Sequence, residues 1–250
     1  MNFELIWELA KTDFKVRYNG SMLGYLWALL RPLLIFLILN VIFSRVFSSG
    51  VNNYSLNLLT GLILWGYFTD GTKIGLTSLY TKSNLISKVN LPKSAIVIAS
   101  TIHTTITFVI NLFILGIFFV WFRVTPSFSS IGFFIFYLIL LYILVLGFAF
   151  LMAPLYLKYR DLDQIWEVLL TLGFYVSPII YPLSYIPDRY QPWLWINPSS
   201  YLIHYSKLAL IENHLITLPD LAKLILIIGL FFGVGWLVFN HYKNKIAEML

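Results

Sequence analysis

Six apolar runs, each close to the length of a bilayer-crossing helix, fill most of this 250-residue chain: residues 24–47, 56–78, 94–122, 131–157, 165–181 and 221–240. A hydrocarbon core about 30 Å thick takes roughly 20 apolar residues per helix. Runs of this length therefore place the chain in lipid, where each segment must close its own backbone hydrogen bonds. Composition agrees: 59% of residues are hydrophobic and 11% charged, with a mean hydropathy of +0.82, against about a quarter charged in soluble domains. A β-barrel would need strands of about 10 residues with strict alternation, and these runs are apolar on all sides. The expected fold is all-α: a polytopic integral membrane protein with six transmembrane helices in one domain spanning residues 1–250.

Basic residues set the orientation. With both termini cytoplasmic, the inner segments hold ten Lys and Arg (Lys11, Lys15, Arg17, Lys82, Lys88, Lys93, Lys158, Arg160, Lys243, Lys245) and the outer ones three (Arg123, Arg189, Lys207). Positive charge is retained inside, so both termini are expected there. The pI near 9.4 follows from this topology. Scattered over separate loops, the basic residues form no patch for nucleic acid, and none is expected as a partner. There is no cysteine, hence no disulfide or thiol chemistry. Glu4, Glu8 and Asp13 are unlike the basic start of a cleavable signal.

The polar breaks carry further information. Residues 1–22 are expected to form an amphipathic helix on the inner membrane surface, with Glu4, Glu8, Lys11 and Lys15 on one stripe and Phe3, Ile6, Trp7, Ala10 and Phe14 on another. The inner connection 79–93 is too long for a tight turn. It keeps Leu85, Ile86 and Val89 at helical spacing, with Pro92 placed to end a short helix. The outer segment 183–219 contains Pro187, Pro192 and Pro198 and an apolar run over 201–211. Such a segment is expected to form short helices dipping into the outer leaflet, with the Ser177-Pro178 and Tyr181-Pro182 steps breaking the end of the fifth run and turning the chain into it. Trp193 and Trp195 are expected at the outer interface.

Charged residues inside the runs are expensive and face protein or water. Asp70 and Lys73, three apart, are expected to neutralise each other, and Arg160 to form an ion pair with Asp161 at the inner end of the fourth run. Arg31 is placed either to snorkel to headgroups or to meet a substrate phosphate. Flat aromatic faces pack on sugar rings, which makes Trp65, Tyr67, Phe68, Phe174 and Tyr175, together with Arg31, the candidates for a substrate path.

Several motifs occur in one order: Gly24-Tyr25-Leu26-Trp27 leading to Arg31-Pro32-Leu33, Leu85-Ile86-Ser87-Lys88-Val89-Asn90-Leu91-Pro92-Lys93, Tyr159-Arg160-Asp161-Leu162, Ser177-Pro178-Ile179-Ile180-Tyr181-Pro182 and Asn197-Pro198. In this the chain resembles, over essentially its whole length, permeases of type-2 ABC exporters, most of all the branch that exports O-antigen polysaccharide. The capsular polysaccharide and teichoic acid exporters are close behind. His204, Tyr205 and Lys207 stand where that branch more often has an Arg.

The resemblance implies a single permease domain working as a homodimer, with two copies of a cytoplasmic ABC ATPase docked on a coupling helix. The coupling residues it implies here are Lys82, Asn84, Leu85, Ile86, Lys88 and Val89. It also implies a lipid-linked polysaccharide substrate, a bacterial inner membrane location, and an outer gate over 183–219 built with Pro178, Tyr181, Pro182 and Tyr201. No catalytic or metal-ligating residue and no cofactor is expected in this chain, with ATP and Mg²⁺ belonging to the partner. The nearest approach to a phosphate-binding loop, Gly66 to Lys73, has Thr72 and Lys73 transposed and lies within a run. Two alternatives stand beside this: an integral-membrane polyprenyl-lipid transferase, which needs convergent carboxylates or His, and an ion-coupled secondary transporter, which needs repeated halves.

Overall fold

A computed structural model describes residues 3–18, 23–24, 26–47, 53–89, 91–194 and 197–249, which form helices and turns with no strand among them. In chain order these are α1 (Phe3–Tyr18), α2 (Leu26–Phe47), α3 (Tyr54–Thr81), α4 (Ser83–Lys88), α5 (Lys93–Trp121), α6 (Phe128–Lys158) and α7 (Leu162–Val176). After a 3-10 turn (Leu183–Tyr185) come α8 (Gln191–Leu194), α9 (Pro198–Lys207), a π-turn (Leu208–Glu212), α10 (Leu218–Tyr242) and α11 (Ile246–Met249).

Every apolar run becomes a helix, but not six equivalent ones. Among the described residues α2, α5, α6 and α10 are long and apolar enough to cross a bilayer unaided, so four helices meet the expectation made for six. α3 has the length, 28 residues, but a more polar sequence. Its position explains how that is tolerated: α5 and α6 cover it on two sides, with α2, α7 and α9 on the rest, so most of its circumference faces protein. Some of its hydroxyls bond within the helix, Thr72 to the Phe68 carbonyl at 2.8 Å and Ser78 to that of Gly75 at 2.6 Å.

α7 is 15 residues long and stops at Val176, five short of the expected 181. Ser177 is extended (φ −73°, ψ 144°) because the following Pro178 disfavours a helical residue before it. Pro92 also differs from expectation. α4 ends at Lys88 with Val89 already extended, and Pro92 instead precedes the first turn of α5.

Backbones approach most closely where side chains vanish. A Cβ on Gly75 would overlap Ala149 of α6, and one on Gly235 of α10 would overlap the Gly147 carbonyl. The Gly71–Gly75 pair is thus consumed in packing α3 on α6 within one chain. α1 lies on α5 through Ile6 and Ala10 against Ala95 and Ala99, leaving Glu4, Glu8, Lys11 and Lys15 exposed. Residues 1, 2 and 19–22 of the expected 1–22 helix lie outside the described residues, as do Asn90, Trp195 and the Trp193 side chain.

α2 and α7 are thinly covered. α2 buries only Ala28 and Phe36, and α7 only Trp166 and Leu170.

Candidate functional site

At one end of the bundle α3 runs into the short helix α4. Ile86 anchors α4 in a cluster with Leu79, Ile96, Phe150 and Leu157. Lys82, at the junction, donates to Asp13 of α1 at 2.5 Å and is largely covered. The six coupling candidates therefore divide: Ile86 is an anchor, Lys82 ties α1 to α4, Leu85 is half-buried, and Asn84, Lys88 and Val89 face outward. Ser87, exposed on the same turn, joins them.

Arg160 has a different partner from the one expected. Its guanidinium lies over the Tyr80 ring at 4.0 Å and near the Tyr156 ring at 5.3 Å, and no ion pair with Asp161 forms among the described residues. Two tyrosine faces offer the planar cation a better seat than an adjacent exposed carboxylate. Asp161 precedes the first turn of α7, where a negative charge suits the helix end.

The charged pairs inside the bundle also differ. Lys73 reaches across to Glu167 of α7 at 2.9 Å, and Asp70 faces Arg31 of α2 at 3.9 Å, so each residue of the expected Asp70–Lys73 pair meets another helix. One helical turn separates them on α3, and both neighbouring helices supply the opposite sign.

Three of the aromatic path candidates lie in the core of the chain. Tyr67 stacks on Phe108 at 4.1 Å and its hydroxyl pairs with Thr105 at 2.8 Å. Phe68 packs edge-on to Phe148 at 5.6 Å, and Trp65 lies 6.4 Å from Phe174. All three are buried within this chain. Phe174 is half-buried and Tyr175 is exposed. Sequence reasoning missed the link beside them: the Trp166 indole N–H donates to the Thr72 hydroxyl at 3.0 Å in a buried bond fixing α7 to α3.

At the other end, residues from 53–57, 178–184 and 204–212 line a half-open cavity of about 740 Å³. The broken end of α7 is held on every side. Ser177 pairs with Ser200 of α9 at 2.6 Å, Tyr54 of α3 donates to the Ile180 carbonyl at 2.7 Å, and the Tyr181 hydroxyl lies 2.8 and 2.7 Å from the carbonyls of Tyr175 and Val176. Lys207 donates to the carbonyls of Pro178 at 2.8 Å and Ile179 at 3.2 Å, its stem lying over Gly61. α9 starts at the Asn197-Pro198 step because the Asn197 side chain accepts the Ser199 N–H at 3.1 Å and proline suits a first helical position.

Of the outer candidates, Pro178 is buried and lines the cavity with the half-buried Tyr181 and Pro182, while Tyr201 packs on Tyr205 at 5.1 Å. Burial lowers Lys207 to about 7, and burial with the nearby Lys207 charge lowers His204 to about 4. The two carbonyls on Lys207 counter that effect by favouring its charged form. The clamp itself was not foreseen, although a lysine in an apolar run had to find acceptors.

A helical membrane bundle with a small exposed foot at one end and a clamped, broken helix at the other has the architecture of a transport permease. The chain belongs to the ABC-2 type transporter family, whose model matches residues 4–207. It is 29% identical to an O-antigen export system permease protein RfbA of Klebsiella pneumoniae over 99% of this chain and 95% of that one. An RfbA of Myxococcus xanthus is 26% identical, covering 98% and 95%. The polysialic acid transport protein KpsM of Escherichia coli is 26% identical, covering 95% and 92%. Membership in this family implies an ABC ATPase as partner and sets aside the transferase and ion-coupled alternatives.

Proposed function

We propose that the chain is the membrane-spanning half of an ATP-driven exporter of a lipid-linked polysaccharide, an O-antigen or a capsular or teichoic-acid polymer. Two copies form the conduit in the bacterial inner membrane with both termini cytoplasmic. Each copy engages one ABC ATPase, which holds ATP and Mg²⁺. The observation that carries this reading is the near end-to-end likeness to permeases named for O-antigen export and polysialic acid transport.

Three further features support it. The foot presents Asn84, Ser87, Lys88 and Val89 on a helix rooted in the core by Ile86, so a push on α4 is passed to α3 and α6. The thin cover on α2 and α7 leaves two exposed helix surfaces for a second copy. Six crossings, counting α3, which its neighbours shelter, and the shorter α7, keep the ten-to-three bias of basic residues.

Co-expression with the candidate ATPase is the test. The purified chain alone should hydrolyse no ATP, and the complex should hydrolyse it at a rate that depends on both proteins. ATP turnover by the isolated chain, or failure to retain any ATPase subunit, would overturn the reading.

A further inference from the structure

The start of α5 and the end of α10 meet at one end of the bundle. Between them lies a half-open cleft of about 390 Å³, lined by Lys93 and Ser94 on one side and Phe239, Lys243 and Asn244 on the other. α10 packs mainly on α6, and α5 on α3 and α1, so the two helix ends are not sealed against each other. Both helices are long enough to cross a bilayer. A cleft at their ends therefore lies at the level of the phospholipid headgroups, whichever way the chain faces.

The charge of the cleft is of one sign. No carboxylate lines it, and among the described residues neither lysine makes an ion pair. Lys243 has an ordinary explanation, since a cation suits the negative carboxyl end of α10. Lys93 has none of that kind. It is the first residue of α5, where the helix dipole is positive and a further cation is unfavourable. Pro92 before it supplies no side-chain cap, so the first N–H groups of α5 add to the same positive field. Two lysines and an uncapped helix start on one cleft are balanced by an anion.

The flank identifies what carries that anion. Leu226, Leu230, Val234 and Leu237 recur at spacings of three and four and are all exposed, an apolar stripe running along α10 toward the cleft. Asn240, exposed, and Asn244, at the cleft, continue that side of the helix in polar form. A molecule with an anionic head and a hydrocarbon tail matches this order. A soluble anion or an acidic protein segment would leave the stripe unused.

We propose that the cleft binds the phosphodiester headgroup of an anionic phospholipid, phosphatidylglycerol or cardiolipin, with one acyl chain along the α10 stripe. The phosphate accepts from both ammonium groups, the Ser94 hydroxyl and the start of α5. The lipid thereby ties the end of α10 to the start of α5. Such a site stands apart from the transported polymer and requires only a chain embedded in a bilayer.

The test titrates the full-length permease in detergent with palmitoyl-oleoyl phosphatidylglycerol and reads binding by native mass spectrometry. Phosphatidylcholine of the same chains, with no net charge, should bind at least about tenfold more weakly. Lys93→Gln/Lys243→Gln should weaken phosphatidylglycerol about thirtyfold, the worth of two lysines beside an anionic lipid. Lys93→Arg/Lys243→Arg should keep the binding, and Lys245→Gln, outside the cleft, should leave it unchanged. Inorganic pyrophosphate, which has no tail for the stripe, should not displace the lipid. Equal affinity for the two lipids, full binding by the double Gln variant, or an equal loss in Lys245→Gln overturns the site. Displacement by pyrophosphate would make it a site for a soluble anion, and loss of the ATPase subunit from a double Gln variant that still binds lipid would make it a protein contact; either result overturns the proposal.

Discussion

Lys207 shows how much a single side chain is asked to do at the cavity beside the broken end of α7. It holds two carbonyls of the broken α7 end and is closed off from water, and burial pushes its ammonium from 10.5 down to about 7. Between those values the unfolded chain binds more protons than the folded one, so stability falls as pH drops through that window. His204, lowered from 6.5 to about 4, adds a second fall between those two values. The thermal midpoint of the purified permease should therefore decline in both ranges. Lys207→Met should flatten the upper step and, by removing the charge beside His204, shrink the lower one without abolishing it, since burial is its main cause; an unchanged upper step in the variant would show that Lys207 is not its source.

The same scale marks the limit of the sequence. Trp166 and Thr72 are 94 positions apart, and nothing in either neighbourhood announces their bond. Asp70 and Lys73 looked like a local pair because spacing on one helix is visible, whereas Arg31 and Glu167 on other helices are not.

Among the elements, α3 depends on packing more than on its own composition. It is flanked by four helices and α9, and its tightest contact is Gly75 on Ala149. Gly75→Leu forces α3 from α6 and should destabilise the protein by about 1–3 kcal/mol, the usual range for overpacking. Thermal unfolding in detergent checks this, and a parallel Gly66→Ala variant, with open space around the new methyl, should leave the midpoint nearly unchanged.

α4 offers a sharper contrast. Lys88→Glu changes only the exposed side of the foot, so it should weaken retention of the ATPase in pull-downs while the permease unfolds at its normal temperature. Ile86→Asp removes the anchor from a closed apolar cluster and should lower the unfolding temperature as well. Equal effects of the two on stability would contradict the division of the foot into anchor and contact. The helices themselves were legible: apolar periodicity placed their starts within three residues of where they lie. Their ends were mixed: the Ser177-Pro178 step breaks α7 as its sequence indicates, whereas Pro92 serves the start of α5 rather than the end of α4.

For the whole molecule, α2 and α7 are thinly covered, and the ion pairs Arg31–Asp70 and Lys73–Glu167 link them through α3. Composition and run length made the membrane class plain, and the ordered motifs pointed to the family. The inner surface was the least accessible to sequence reasoning, because aromatics such as Tyr67 and Phe68 suit a sugar path and a protein core equally well, and only tertiary contacts separate the two uses.

Export itself is the most direct measurement. In a bacterium deleted for this chain alone, with its ATPase and polysaccharide synthesis intact, radiolabelled polymer should accumulate on the cytoplasmic side and vanish from the surface, and re-expression should restore display. Polymer reaching the surface at the normal rate without the chain would contradict its role as the conduit.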